Sequence, residues 1–401
     1  MLLCWYETSN QPFILIYFVS VLNQFLRGVR VIDLSHYVPG PIASLLLADM
    51  GANVLKVVPP SGDGMRKLGP RDENGDEIFH AALNAGKVEL TLNLKDEHDN
   101  AALHRLLGMA DVLIEGFRPG ILSRLGFDPG ALRLRHPGLI ICSISGYGSA
   151  GPLSQAAGHD ANYLAGSGIT ARNVDGMFDP PLADSAGALF AALSIVAALY
   201  NRSMTGEGCV IDIGLADAVM PLQLFQIAAF DSVGWMPKPE TYYLNGGIAC
   251  YHDYRTSDGR RLVLGALEEK FWRNFCVAAR RPEWIGRHEE PAPQVSLIRE
   301  VTTFFSSLSL DECLHIFDGV DCCLTPVLNL EEAVSAPQVI SRDLVRRTSQ
   351  SLQALFPAHI DGQAPDARSP LRSVSLAEAE SALAADASAG RSLPATVDPH
   401  R

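Results

Sequence analysis

From Arg27 onward the chain alternates short β-branched runs with helical stretches, and this order constrains the fold more than any other feature. The runs are GVRVIDLS, ANVLKVV, KVELTLNL, ADVLIEGF and LIICSIS, and PIASLLLADMG and EHDNAALHRLLGMA between them read as helices. Strand and helix in alternation predict an α/β fold, a Rossmann-like doubly wound parallel sheet over residues 27–225. Such a sheet is covered on both faces and takes ligands at the carboxyl ends of its strands. A long apolar helix, SAGALFAALSIVAALYNRSMTGEG, is predicted to start after Asp184 and stop near Gly206.

The texture changes after about residue 225. KPETYYLNGG reads as a linker, and CYHDYRTSDGRRLVLGAL as a hairpin turning at Ser257-Asp258-Gly259. A smaller α+β domain is placed at 236–338, a return segment to the large domain at 339–375, and a weakly ordered tail rich in Ala, Ser and Pro at 376–401. At the other end, PFILIYFVSVLNQFL is apolar, but Glu7 precedes it and no A-x-A-like site follows. Asn23 and Gln24 interrupt it short of the roughly 18 apolar residues of a span, so residues 1–26 are read as an extension and not as a membrane segment.

Composition sets the remaining bounds. A chain of 401 residues with 47% hydrophobic content fills large cores and suits two domains. Its 32 Lys+Arg against 45 Asp+Glu give a net charge of −13 without a basic cluster, so nucleic acid is not an expected partner. The eight cysteines show no C-x-x-C spacing and read as buried thiols in a reducing, cytoplasmic compartment, with no disulfide and no structural zinc.

Several cofactor signatures are absent. No G-x-x-x-x-G-K-[ST] occurs, the first strand runs into SHYVPGPIA instead of G-x-G-x-x-G, and SISGYG places Ser143 where a nucleophile elbow needs glycine. What remains is a group of titratable residues at strand ends or helix starts: His159 and Asp160 of AGHDANYLAGSG, Asp184 of PPLADSAG and Glu268 of GALEEKFW. Each has a plain structural alternative: a hydrogen-bonded imidazole for His159, helix caps for Asp160 and Asp184, a solvated turn carboxylate for Glu268.

Over residues 27–350 the chain resembles the family III CoA transferases (CaiB/BaiF-like) with their α-methylacyl-CoA racemase branch. VIDLSHYVPGPIASLLLADMGANVLKV is similar to the family's opening strand, helix and strand, EGFRPGILSRLGF to its EGFRPG-x-x-x-RLG segment, and MTGEGCVIDIGLADA to its R-T-G-x-G-Q-x-V-D turn. AGHDANYLAGSG, LNGGIACYHDYRTSDG with LGALEEKF, and DCCLTPVLNLEEA resemble the racemase branch in particular. The resemblance implies His159 and Asp184 as two acid/base groups and the Asp160 amide as donor to a thioester oxygen. It further implies Glu268 as the carboxylate that orients the histidine of a partner subunit in an interlocked homodimer. It points to Arg118, Lys87, Lys56 and Arg66 as contacts of an acyl-CoA thioester, with no metal and no cofactor beyond that CoA.

The residue types suit the implied chemistry. Inverting a carbon beside a thioester requires a proton to leave one face and another to arrive on the other, so two bases of opposite protonation must flank it. The alternative within the same resemblance is a CoA transferase in which Asp160 is the nucleophile and forms a mixed anhydride with the acyl group.

Overall fold

A computed structural model describes residues 20–173 and 177–389. The first unit runs β1 (Arg30–Asp33), α1 (Pro39–Asp49), β2 (Asn53–Val58), α2 (Ile78–Asn84), β3 (Val88–Thr91), α3 (Glu97–Leu107) and β4 (Val112–Glu115). Two short helices, α4 (Ile121–Arg124) and α5 (Pro129–Arg135), lead to β5 (Ile140–Ser145). Then come α6 (Asp160–Gly166), α7 (Leu182–Thr205), β6 (Val210–Gly214), α8 (Leu215–Ala218) and α9 (Leu224–Val233).

The second unit begins with the hairpin β7 (Tyr251–Arg255) and β8 (Arg261–Gly265), followed by α10 (Glu269–Ala278), α11 (Val295–Ser306), α12 (Leu310–Ile316) and β9 (Leu324–Pro326). The chain returns through α13 (Leu330–Val334), α14 (Pro337–Arg342) and a ribbon of β10 (Val345–Arg347) and β11 (Leu352–Ala354). It closes with β12 (Arg372–Ser373) and α15 (Leu376–Ala389).

The large sheet has seven strands in the order β12-β3-β2-β1-β4-β5-β6, every pair parallel. The order reverses between β1 and β4, and at such a switch point the loops diverge and leave a crevice at the strands' carboxyl ends. Consecutive strand residues serve opposite cores: Val31 and Val112 pack with Leu47, Ala183 and Ala191 on one face, while Ile32 and Leu113 pack with Leu103 and Phe127 on the other. Burial on both faces explains why these strands read as continuous apolar runs. The smaller unit packs Tyr254, Trp272, Phe275 and Phe305 beneath its three-stranded antiparallel sheet.

Helix α7 is long and apolar enough to cross a bilayer, yet its small side chains pack as core. A β-carbon built on Gly187 would lie 2.3 Å from Leu215 Cδ2, so any larger residue there would push the Leu215 side chain aside. The helix stops at Gly206, whose φ of 76° is the left-handed conformation of a helix cap.

The structure differs from expectation at both ends. Leu22 and Leu26 are buried, and the Ser20 N–H and the Asn23 amide donate to Asp366 at 2.8 and 3.0 Å, so residues 20–26 are packed. Instead of starting a weakly ordered tail, residue 376 opens α15, because Ala379 and Leu383 supply an apolar face that packs among the Leu103 and Leu106 group. Residues 1–19 and 390–401 of those two stretches lie outside the described residues.

Candidate active site

The loop between β5 and α6 is fixed before His159 is reached. Asp212 on β6 accepts the Ser149 N–H at 2.9 Å and its hydroxyl at 2.5 Å, which ties the loop to the neighbouring strand. Tyr163, one turn into α6, donates its hydroxyl to the Gly158 carbonyl at 2.6 Å. Its ring fits because residues 146 and 158 are glycines: a β-carbon at either would fall 2.5 and 2.7 Å from it.

His159 is the N-cap residue of α6, with extended backbone (φ −131°, ψ 174°), and its N–H donates to Asn162 Oδ1 at 3.0 Å. The imidazole is exposed and lies outside both cores of the large unit. Asp160 is the first residue of α6, a position whose N–H has no intrahelical partner. Its carboxylate caps a different helix, accepting the N–H groups of Ala183 at 2.7 Å and Asp184 at 3.0 Å.

Helix α7 begins at Leu182, three residues earlier than expected, and Asp184 lies inside its first turn instead of capping it. Burial pushes the Asp184 carboxyl up to about 6; the Asp160 charge adds to this and His159 opposes it. A carboxyl so placed exchanges a proton near neutrality. The Tyr163 phenol is pushed up to about 12, by burial first and then by the Asp184 charge, and the Arg118 guanidinium acts on it in the opposite sense. His159, Asp160, Asp184, Tyr163 and Arg118 thus share one end of the sheet.

Arg118 leaves the loop after β4 at the switch point. The Glu115 carboxylate accepts the Phe117 N–H at 2.8 Å just after β4, and among the described residues the exposed Arg118 side chain forms no ion pair. The other three cations expected to reach CoA are engaged within the protein. Lys56 and Lys87 have side-chain exposures of 0%. Lys87 donates to the Pro41 carbonyl (2.8 Å), Ser44 Oγ (2.8 Å) and Asn84 Oδ1 (3.0 Å), while Lys56 donates to the Ser35 carbonyl and lies 3.3 Å from Asp63. Burial brings the Lys87 ammonium down to about 7 against the pull of Asp33. Arg66 pairs with Glu77 and Glu89 at 3.1 and 2.6 Å.

Glu268 stands apart. It is the exposed N-cap residue of α10, near Cys323, and among the described residues no hydrogen bond or ion pair joins it to His159 or Asp184 within the chain. A cavity of about 300 Å³ beside Arg172, Glu240, Tyr251 and His252 includes none of the candidate residues in its wall. No cluster of His, Cys, Asp or Glu suited to a metal ion occurs among the described residues, and the described cysteines are free thiols.

The sequence reading missed Tyr163, Asp33 and Asp63. Asp33 accepts from Ser35 and Ser44 between the two buried lysines, and Asp63 accepts the Tyr37 and Met65 N–H groups at 3.1 and 2.9 Å. The position of Asp33 at the carboxyl end of β1 was the available signal; Tyr163 had none beyond standing four residues after His159.

Fold and site together define a two-unit α/β protein with its titratable groups gathered at the carboxyl ends of a doubly wound sheet. The profile of CoA-transferase family III matches residues 26–370, and the chain belongs to that family of enzymes. Alpha-methylacyl-CoA racemase of Homo sapiens is 34% identical over 322 residues, 77% of this chain and 79% of that protein. Succinyl-CoA:glutarate CoA-transferase of Mus musculus is 31% identical over 332 residues, 80% of this chain and 76% of that protein. The crystal structure of a CaiB/BaiF family protein from Brucella suis superposes with a TM-score of 0.78 at 25% identity, covering 90% of this chain and 98% of that one.

Proposed function

We propose that the protein is an acyl-CoA racemase or epimerase that inverts the α-carbon of a 2-methylacyl-CoA thioester by two-base proton transfer. The observation that carries this reading is the pairing of an exposed imidazole at His159 with an Asp184 carboxyl that lies within its electrostatic reach and is raised to about 6. One group removes the α-proton while the other, protonated, delivers a proton to the opposite face, and the two exchange roles in the reverse direction. The charge of the intermediate enolate rests on the thioester oxygen. The Asp160 N–H, at the start of α6, is the donor assigned to it, and a preorganised donor of this kind lowers the barrier by about 3–4 kcal/mol.

The exposed Arg118 is assigned to the CoA phosphates, and no metal or organic cofactor beyond the CoA of the substrate is required. Glu268, which among the described residues has no hydrogen bond or ion pair to His159 within one chain, is assigned to the site of the partner subunit in an interlocked homodimer, where it orients that subunit's imidazole. The free cysteines fit the reducing, cytoplasmic setting of this reading.

The second reading is a CoA transferase, favoured by the likeness to the mouse succinyl-CoA:glutarate enzyme. It requires Asp160 as nucleophile; the two amides of α7 both bond to Oδ1 of that carboxylate, so the attack would fall to Oδ2. The test is incubation with a 2-methylacyl-CoA in D2O without any acceptor acid, followed by NMR of the α-proton. Exchange is the expected result. No exchange, together with an acyl group on Asp160 trapped by hydroxylamine, would establish the transferase instead.

A further inference from the structure

The racemase reading uses only the backbone amide of Asp160, yet the side chain makes its own connection. Pro181, the N-cap of α7, offers no side-chain acceptor, and the helix start leaves its first amides without intrahelical partners. Asp160 Oδ1 accepts two of them, from Ala183 and Asp184, and brings a negative charge to the positive end of a 24-residue helix. One group therefore fastens two helix starts: His159 directly precedes Asp160, and Asp184 contributes one of the bonded N–H groups.

We propose that the Asp160 carboxylate is a positioning residue that clamps the start of α7 to the start of α6, so that the His159 ring and the Asp184 carboxyl flank one substrate carbon. The role rests on the racemase reading. It has an electrostatic consequence, because the Asp160 charge adds to burial in holding Asp184 near 6 while His159 pulls the other way. The remaining charged groups around Asp184 are few. Tyr163 faces it from α6, with Arg118 beyond from the loop after β4. On β6, Asp212 is spent on Ser149, and the Asp217 carboxylate of α8 lies beside Gly148 of that same loop and Gly214 of β6. Along α1 the one ionisable side chain is Asp49, bound to Arg368.

Two variants separate the tether from the charge. Asp160→Asn keeps an oxygen acceptor for the α7 amides and removes the charge; Asp160→Ala removes both. The readouts are α-proton exchange in D2O as a function of pH, with kcat and KM, and titration of the Asp184 carboxyl by NMR of ¹³C-aspartate-labelled protein without substrate. In Asp160→Asn the acid limb of the exchange profile and the Asp184 midpoint both move down by at least about half a pH unit, since a like charge has gone. In Asp160→Ala kcat falls at least about a hundredfold with KM altered less than about threefold, because alignment is lost while CoA is still held; Asp160→Asn recovers most of that loss.

Wild-type rates and an unchanged Asp184 midpoint in both variants would overturn the proposal. The NMR titration of Asp160→Asn decides it even if Asp160→Ala does not fold. Should the wild-type protein exchange no α-proton, the racemase reading fails, while the Asp184 titration and the hydrogen-exchange protection of the Ala183 and Asp184 amides still judge the clamp.

Discussion

The hydroxyl of Tyr163 donates to the carbonyl of Gly158 at 2.6 Å, so a residue inside α6 grips the peptide just before His159. The grip sets where the imidazole starts, and Tyr163→Phe removes it while leaving the ring in place. Exchange is expected to slow by about tenfold through misplacement of the base, with a loss of roughly 1 kcal/mol in stability. Single-turnover exchange and denaturant melts measure the two effects; wild-type values for both would show that the loop needs no such anchor.

The two proton carriers have a sharper signature. His159→Ala and Asp184→Ala are each expected to slow α-proton exchange by at least about a hundredfold, the lower end for removing a positioned acid or base. Normal exchange in both would dismiss the assignments.

Asp184 also links activity to stability through pH. Below about 6 its carboxyl takes up a proton, so exchange that begins at Asp184 falls about tenfold per pH unit. Because the folded value lies above the ordinary 3.8, the fold disfavours the ionised form, and stability is lost as pH rises from 3.8 to about 6. Asp184→Asn, which cannot ionise, is therefore expected to be more stable than the wild type at pH 8 by up to about 2 kcal/mol, with the advantage vanishing near pH 4. Melting curves at the two pH values check the sign.

The cations divide by burial. Arg118→Ala is expected to raise KM for the CoA thioester about tenfold with little change in kcat, in line with the loss of a charge-assisted hydrogen bond. Lys87→Met is expected to destabilise the fold by about 3–5 kcal/mol, because it takes one of two ammonium groups from buried Asp33. Any Lys87→Met protein that remains folded keeps its wild-type KM.

Glu268 is tested by subunit mixing. Alone, the His159→Ala and Glu268→Ala proteins are both expected to be impaired. In the proposed interlocked dimer, co-refolding gives heterodimers in which one site carries both substitutions and the other neither, so up to about half of the wild-type activity returns to each heterodimer. An absence of recovery would place Glu268 outside the partner's site.

The central sheet was legible in the sequence because parallel strands buried on both faces announce themselves: β1 to β5 each fall within one of the apolar runs. The ends were not. Ala379 and Leu383 lie in a segment whose composition suggests disorder, and only the waiting groove beside Leu103 and Leu106 gives that segment a reason to fold. In the site, His159 and Asp184 were visible as residue types, whereas the capping of one helix by Asp160 of another is a long-range pairing that no local pattern encodes. Lys56 and Lys87, which the family resemblance pointed to as CoA contacts, are buried against an Asp33 that no local pattern ties to them.

The seventh strand of the large sheet, β12, lies beside β3 although more than half the chain separates them, and Arg368 grips Asp49 at 2.6 and 2.7 Å just before it. The large unit is thus sealed by residues made long after its first strands. During synthesis the flank of β3 stays open until the C-terminal segment emerges, and a chain cut short before Arg368 would retain an unguarded strand edge ready to pair with a neighbour.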